Sequence, residues 1–376
     1  MSSMEDHRPA TPEDTLAPER TPRLLAWTRG QAPTRRVPTR ILIAIILIAA
    51  IVFPVLGPPA YVLRVATTIG IYALLATGLN IVVGRAGLLD LGYVAFFGLG
   101  AYAYALVASP QFGIHAPFLI GVTLAVAVAA TAGVLLGIPV LRLRGDYLAI
   151  VTLGFGEIVY LVLLNLDRPV NITGGVAGIL NVDPADLFFF SATSLPANYY
   201  LILFFVVLSV FMAHQLVASR VGRAWVAIRE DEDAAQAVGV NTTSAKLWAF
   251  ALGASFSGFG GACFAALQGA VFPNTFLFTQ SILVLAMVVI GGMGTLWGPI
   301  VGAAVMIMLP EFLRDFGAVR FIIIGVLFVV LMIFRPHGIL GARRPERSLR
   351  RTVFTRASGP RSEDLALGGQ AGEGAT

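Results

Sequence analysis

The sequence has 376 residues and a formal charge of +5, yet only 12 % of its residues are charged and 57 % are hydrophobic, with a mean hydropathy of +0.82. A soluble domain typically has about a quarter charged residues, so this composition excludes an ordinary soluble protein. The charges are concentrated in the two ends and one loop. The remaining apolar runs predict an all-α fold, namely a polytopic helical integral membrane protein in contact with membrane lipid.

Scarce residue types exclude several kinds of site. Cys263 is the only cysteine and lies in an apolar run, which excludes an intrachain disulfide and argues against a thiolate metal site. The four histidines are scattered without metal-ligand spacing. Lys246 is the only lysine and follows no glycine-rich loop, so the sequence has no Walker A site for ATP. We therefore predict no catalytic residues, no metal, no cofactor and no nucleic-acid partner.

Taken in order, the chain begins and ends with polar tails. Residues 1–40 and 342–376 lack apolar periodicity, which predicts a disordered cytoplasmic N-terminal tail and a disordered, basic C-terminal tail. Arg40 and Arg335 flank the outermost apolar runs and place both termini in the cytoplasm by the positive-inside rule. Two cytoplasmic termini require an even number of membrane crossings.

Between the tails, residues 41–341 form one predicted transmembrane domain of about ten membrane-crossing segments with broken helices. The runs at 281–290 and 300–309 are each shorter than the roughly 20 residues that a full crossing needs, and counting them separately gives the even number. The ten predicted segments are 41–56, 61–83, 88–107, 116–141, 147–164, 199–217, 247–268, 281–290, 300–309 and 318–334.

Glycine interrupts two of these segments, at 84–92 in the first half and at 291–294 in the second. Helices break readily at glycine, and open backbone at membrane depth is tolerated only beside protein or a water-filled cavity. Paired broken helices in the two halves are typical of a translocation site. The alternative is close helix packing. We favour packing for a second set of glycines, Gly98, Gly100, Gly258, Gly260 and Gly261.

Two carboxylates fall within predicted spans. A carboxylate there costs several kcal/mol unless it faces a cavity or a partner, which makes Asp90 and Glu157 functional candidates. Arg85, five residues before Asp90, is the expected partner of that carboxylate. For Glu157 an interhelical hydrogen bond is an equally good interpretation.

The long polar stretch at 219–245 separates two apolar runs and carries four consecutive acids at 230–233. We predict one water-exposed helix here, with Trp225 and Ile228 on a narrow apolar ridge that continues to Glu232. Gly239 is placed to end this helix as its C′ residue, and Asn241 begins the turn into the next span.

Several runs resemble the permeases of high-affinity branched-chain amino-acid ABC importers. The stretch Asp233-Ala234-Ala235 followed by Gly239 resembles the EAA loop of ABC-importer permeases, with Asp in place of the leading Glu. The length and the long loop at 165–198 make the chain most similar to the M-type permease of the pair. The runs that carry this resemblance are 78–106, 141–159 followed by 172–175, 222–240, 287–303 and 334–341.

The resemblance implies a subunit of a bacterial importer in the inner membrane. Such a permease pairs with a second homologous permease, two cytoplasmic ATP-binding subunits and an extracytoplasmic solute-binding protein. The residues implied in ATPase coupling are Arg223, Trp225, Ile228, Glu232, Asp233, Ala234, Ala235 and Gly239. The residues predicted to line the substrate pathway are Asn80, Gly84, Arg85, Gly87, Asp90, Tyr93, Glu157, Thr173, Gly174, Gly175, Gly291, Gly292 and Gly294.

The first signature departs from the family pattern at three positions. This chain has Leu88, Asp90 and Tyr93 where the family usually has Gln, Ser and His. The solute therefore stays open between a branched-chain amino acid and a related small polar solute such as urea. Two other classes are alternatives: an ion-coupled secondary transporter using Asp90 or Glu157, and a membrane-embedded enzyme. An enzyme would need a His/Asp pair, paired carboxylates or a metal site, and the sequence shows none of these.

Overall fold

The computed structural model describes residues 39–341 except 141–142, 144, 169, 188–189, 192–193 and 336–337. The predicted tails at 1–40 and 342–376 fall outside this range apart from residues 39 and 40, so their disorder stays a prediction. The chain divides into two compact units, residues 1–53 and 54–376. The described part of the first unit is helix α1 (Thr39–Val52), which exposes Ile46, Ile48 and Ile51.

The second unit is a helical bundle. Its helices in the described part are α2 (Ala60–Leu79), α3 (Tyr93–Val107), α4 (Phe118–Val140), α5 (Asp146–Asn165), α6 (Leu195–Ala218), α7 (Arg220–Glu230), α8 (Glu232–Ala237), α9 (Thr242–Gln268), α10 (Phe278–Gly291), α11 (Gly298–Phe312) and α12 (Val319–Phe334). A π-helical segment, Asn80–Arg85, continues α2. Short 3₁₀ turns cover Phe53–Leu56, Gly175–Ala177, Pro273–Phe276 and Arg314–Phe316.

The described residues form four two-residue strands, which lie at the end of the bundle opposite α7 and α8. Strand β1 (Ile179–Leu180) pairs antiparallel with β4 (Ala270–Val271), which directly follows α9. Strands β2 (Asp186–Leu187) and β3 (Phe190–Ser191) form a hairpin. The β1–β4 pair ties the long loop after α5 to the end of α9.

Helix length divides the apolar helices into two classes. Among the described residues, five helices are long and apolar enough to cross a membrane: Ala60–Arg85, Phe118–Val140, Asp146–Asn165, Leu195–Ala218 and Thr242–Gln268. Five shorter apolar helices accompany them, and α10 with its 14 residues is about 21 Å long, less than the roughly 30 Å of a bilayer core. Ten crossings therefore stay a prediction.

Both predicted helix breaks are present, and the first, predicted at 84–92, covers residues 86–92. The third span was expected to begin at residue 88, whereas α3 begins at Tyr93. The reason is that residues 86–92 leave helical geometry after the π-helical turn, with Gly87 at a φ of +73°. The second break, at Gly292–Trp297, separates α10 from α11.

Helix α9 is the centre of the bundle and packs against α2, α3 and α4. Small residues allow this close approach. A Cβ placed on Gly100 would overlap the Gly258 backbone, and one placed on Gly261 would lie 2.7 Å from the Ala101 nitrogen. On the other face, a Cβ on Gly258 would lie 2.8 Å from the Ala125 carbonyl of α4. The prediction that these glycines serve helix packing is confirmed.

Candidate functional site

Asn80 joins the two helix breaks. It is buried in the first turn of the π-helical segment, where its Nδ2 donates a hydrogen bond of 2.7 Å to the Thr295 carbonyl. Its Oδ1 accepts a hydrogen bond of 2.7 Å from the Gly294 N–H. Both polar groups of one side chain are therefore satisfied by backbone from the other half of the chain. This arrangement brings the predicted pathway segments 84–92 and 291–294 into direct contact.

Arg229 of α7 reaches the same place. Its Nη1 donates a hydrogen bond to the Gly84 carbonyl. A Cβ placed on Gly87 would lie 2.9 Å from Arg229 Cγ, and one placed on Gly294 would lie 2.9 Å from Arg229 Nη1. We call this cluster of Asn80, Gly84, Gly87, Gly294 and Arg229 the glycine junction.

Backbone conformation explains why glycine occupies the junction. Gly87 and Gly294 have φ angles of +73° and +77°, and Gly292 has a φ of +118°. Residues with a Cβ rarely adopt these angles. Thr295 stabilises the second break, because its Oγ1 donates to the Gly292 carbonyl at 2.8 Å and accepts from the Gly298 N–H at 3.1 Å.

The end of the described chain covers this break. The N–H groups of Ile339 and Leu340 donate to the carbonyls of Ile290 and Gly291, at 2.7 and 3.0 Å. These carbonyls belong to the last turn of α10, which has no intrahelical donors for them. Residues 339 and 340, within the motif identified in the sequence, therefore cap α10 beside the glycine junction.

Asp90 lies farther along the first break and is almost fully buried. Its Oδ1 accepts a hydrogen bond of 2.9 Å from the Gly92 N–H, while Oδ2 is buried without a hydrogen-bond partner. The expected pairing with Arg85 is wrong: among the described residues no ion pair joins them. Asp90 follows the point where the chain turns back, and Arg85 lies instead near Arg229.

The start of α3 is fixed by hydrogen bonds to three other helices, two to side chains and one to backbone. Thr152 of α5 accepts from the Leu91 N–H at 3.0 Å, and Ser281 of α10 accepts from the Val94 N–H at 3.2 Å. The buried Tyr93 hydroxyl donates to the Gly253 carbonyl of α9 at 3.0 Å. Because the first N–H groups of a helix have no intrahelical acceptor, these bonds hold the α3 start at one position inside the bundle.

Other predicted pathway residues lie away from the junction. Glu157 is half-buried on α5, next to Gly156, whose added Cβ would lie 3.2 Å from the Gly92 Cα. Thr173 lies in the loop that follows the C-terminal end of α5. It is buried, and its Oγ1 has no hydrogen-bond partner. The neighbouring Gly174 and Gly175 begin the Gly175–Ala177 turn with positive φ. The predicted pathway residues thus fall into three separate groups: the glycine junction, the buried segment around Asp90 and Tyr93, and the loop at 173–175.

The 219–245 stretch contains two helices where one was expected. Asp231 has extended backbone, ends α7 and caps α8, because its side chain accepts from the Ala234 N–H at 2.9 Å. The apolar ridge is also not water-exposed: Trp225 and Ile228 are buried. The Trp225 indole N–H donates to the Ala245 carbonyl at 2.7 Å. These two residues attach α7 to the bundle and do not present a surface to a partner.

An ion pair fixes α8 to the same helix. Nζ of Lys246, which is buried on α9, lies 2.6 Å from Oε1 of Glu232 in the first turn of α8. Ala235 faces inward and is buried. Asp233 and Ala234 are exposed, and Val238 at the end of α8 is 81 % exposed. One face of α8 is therefore held by the bundle while the other faces outward.

Two turn predictions are confirmed. Gly239 has a φ of +88° directly after the Val238 C-cap, and the Val240 N–H donates to the Ala235 carbonyl at 3.0 Å. Asn241 caps α9 by accepting from the Ser244 N–H at 2.9 Å. Arg223, which was expected to act in coupling, donates from Nη1 to the Ala218 carbonyl at 2.8 Å and so caps the end of α6.

Sequence reasoning missed Arg229, Lys246 as a pairing residue, and the hydroxyls of Thr152, Ser281 and Thr295. The single lysine of the chain was a usable signal, because a buried ammonium requires an acidic partner and four acids lie nearby in sequence. The contacts of the Thr152 and Ser281 hydroxyls join residues far apart in sequence and leave no local pattern, whereas Thr295 bonds residues three positions before and after it. In the described part of the chain, no group of three or more His, Cys, Asp or Glu side chains is arranged to hold a metal ion.

Comparison with known proteins assigns this chain to a family. The family model for the permease component of branched-chain amino acid transport systems matches residues 61–334. The chain belongs to this family. That match contains the glycine junction, both helices of the 219–245 stretch and the break between α10 and α11.

Individual relatives agree with the family match. The chain is 42 % identical over 337 residues to the high-affinity branched-chain amino acid transport system permease protein LivM of Salmonella typhimurium, covering 84 % of this chain and 78 % of that protein. It is 41 % identical to the LivM protein of Escherichia coli K12, with the same coverage. Similarity to the Salmonella typhimurium permease LivH is weaker, at 24 % over 290 residues, covering 73 % of this chain and 92 % of LivH. No solved structure matches the chain with significance.

Proposed function

We propose that this protein is the M-type permease subunit of a bacterial ABC importer that carries branched-chain amino acids. The single observation that supports this best is the 42 % identity to a LivM permease over most of both chains. The exposed outer face of α8, held in place by Trp225 and the Lys246–Glu232 ion pair, gives that importer a surface on which an ATPase can act. The weaker similarity to LivH fits a second, homologous permease as its partner.

The complete importer contains this chain, the second permease, two cytoplasmic ATP-binding subunits and an extracytoplasmic solute-binding protein. The α7–α8 end faces the cytoplasm, because it carries Arg220, Arg223 and Arg229 and positively charged loops remain inside. Both termini lie on this side after ten crossings of the inner membrane. The loop at 165–198 then lies outside, where the binding protein delivers the solute.

The solute pathway runs past the two helix breaks. In the described conformation the glycine junction is closed by the hydrogen bonds of Asn80 and Arg229, and Asp90 is buried behind it. Movement of the ATPase against α8 displaces α7, opens the junction and exposes Asp90 and backbone N–H groups. A carboxylate and free N–H groups match the ammonium and carboxylate of an amino acid. The relatives' names support a branched-chain amino acid and give no support to urea.

Reconstitution tests this assignment. The four membrane-bound components are placed in proteoliposomes with ATP inside and leucine-loaded binding protein outside. We expect leucine accumulation that requires ATP and continues when ionophores remove proton and sodium gradients.

The control is this chain alone in liposomes under the same ion gradients. If it concentrates leucine without ATPases, the protein is an ion-coupled secondary transporter and the proposal is wrong. Uptake of urea in preference to leucine by the complete complex would refute the assigned solute.

A further inference from the structure

Arg229 connects helix α7, which precedes α8, to both halves of the glycine junction. It lies in the last turn of α7, a helix that Trp225 and Ile228 attach to the bundle. Its guanidinium donates to the Gly84 carbonyl in the first break, and the same Nη1 lies against Gly294 in the second. One side chain therefore contacts both helix breaks from the helix that precedes α8.

The glycines beside Arg229 leave space for its side chain. An added Cβ on Gly87 or on Gly294 would lie 2.9 Å from an Arg229 atom. Non-bonded contacts of a Cβ are essentially never that short. Gly87, which requires glycine for its positive φ, thus also requires it for the room that the Arg229 Cβ and Cγ occupy. A displacement of α7 cannot leave the breaks unaffected, because the Arg229 side chain lies between them.

A second arginine lies near this contact. Arg85, the last residue of the π-helical segment, is close enough to Arg229 for the two charges to interact. The Arg85 Nε is buried without a hydrogen-bond partner. Arg229 therefore reaches the junction beside a second guanidinium group.

We propose that Arg229 is a positioning residue that makes opening of the glycine junction depend on the position of α7. With α7 in the described position, Arg229 holds the Gly84 and Gly294 backbones together. When an ATPase moves α8 and α7, the guanidinium leaves the Gly84 carbonyl and the two breaks separate. This role rests on the proposed ABC importer function, in which α8 receives the force.

The test compares Arg229→Gln with a matched control, Arg220→Gln, which removes the same charge from the first residue of the same helix; both arginines are exposed. In the complete complex, we expect Arg229→Gln to reduce leucine uptake per ATP hydrolysed about tenfold, because a charge-assisted hydrogen bond is lost. ATP hydrolysis itself continues. Arg229→Lys restores part of the ratio, because the ammonium can still donate to the Gly84 carbonyl. Arg220→Gln leaves the ratio unchanged.

Hydrogen exchange gives a second result that does not depend on transport. In the complex without nucleotide, amides of residues 84–92 and 291–297 should exchange about tenfold faster in Arg229→Gln than in Arg220→Gln. Unchanged exchange in these segments overturns the role of Arg229, even if the complex transports leucine. Equal effects of the two variants on the coupling ratio also overturn it. If the unmodified complex shows no ATP-dependent uptake, the importer assignment fails, and exchange alone still decides whether Arg229 holds the junction.

Discussion

Glycine performs two different tasks in two regions of this molecule. In the interface of α3, α4 and α9, Gly100, Gly258 and Gly261 are helical, and the neighbouring backbone fills the space that a side chain would need. In the glycine junction, Gly87 and Gly294 lie outside helices with positive φ, and the side chains of Asn80 and Arg229 form hydrogen bonds to the backbone of Gly294 and Gly84.

The difference predicts which region should move in the proposed importer. Close-packed helices have one arrangement, because any separation loses contacts along the whole interface. The junction depends on a few directional hydrogen bonds and on backbone that glycine allows to rotate. We therefore expect the interface to stay fixed and the junction to change during transport.

The largest effect is expected in the interface. Gly100→Val places a branched side chain against the Gly258 backbone, which cannot retreat, and overpacking of this kind costs about 1–3 kcal/mol or more. We expect almost no folded, monodisperse protein after detergent extraction. The control is Gly154→Ala, since a Cβ at Gly154 meets nothing within 4 Å. Normal yield of the Gly100 variant would show that the interface is not tightly packed.

A smaller effect is expected from Asn80→Ala in the junction. It leaves the Gly294 N–H and the Thr295 carbonyl, which are part-buried, without their partner, at about 1 kcal/mol for each group. We expect assembled protein with a lower unfolding temperature and reduced leucine uptake. Asn165→Ala, which removes one exposed hydrogen bond within α5, is the control. Loss of assembly equal to that of Gly100→Val would place Asn80 with the packing residues.

Substitution of Gly239 tests backbone conformation without a change in packing, because its φ is +88° and an added Cβ meets nothing within 4 Å. Gly239→Val should strain the end of α8 by roughly 1–2 kcal/mol. The expected result is normal membrane insertion with ATP hydrolysis uncoupled from uptake. Gly239→Asn should retain coupling, since Asn tolerates positive φ. If both variants are as well coupled as the unmodified chain, the end of α8 does not transmit force.

The smallest effect on the fold is expected from Asp90→Asn. An amide oxygen can replace Oδ1 as acceptor for the Gly92 N–H, so the fold should be retained, whereas uptake should fall because an amide carries no charge to pair with the ammonium of the solute. Asp90→Ala also removes this acceptor and should lower the free energy of unfolding by about 1 kcal/mol. It should reduce uptake more than it reduces the amount of assembled complex. Uptake and the amount of purified complex are measured together. Equal loss of both in Asp90→Ala would make Asp90 a structural residue only.

The sequence is sufficient for the helices and their breaks, because apolar length and glycine clusters are local signals. It also places the two turns at Gly239 and Asn241 correctly, since capping depends on neighbouring residues. It does not show that Asp231 divides α7 from α8, because nothing in the sequence distinguishes an N-cap Asp from its neighbours in a run of four acidic residues.

Contacts between distant segments could not be read from sequence. Arg85 was paired with Asp90 because they are five residues apart, but the turn at Gly87 separates them and brings Arg229 to the junction. Trp225 and Ile228 were assigned to a solvated helix, whereas their burial depends on α9, which follows later in the chain. Charge and spacing alone do not encode these tertiary neighbours.

Distance measurements between spin labels test the central claim most directly. In a Cys263→Ser chain, labels at Met293 and Gln268 report the junction relative to the end of α9, and labels at Leu124 and Gln268 report the interface of α4 and α9. On ATP binding to the complete importer, we predict a changed Met293–Gln268 distance and an unchanged Leu124–Gln268 distance. A constant Met293–Gln268 distance, or an equal change in both pairs, would contradict the account.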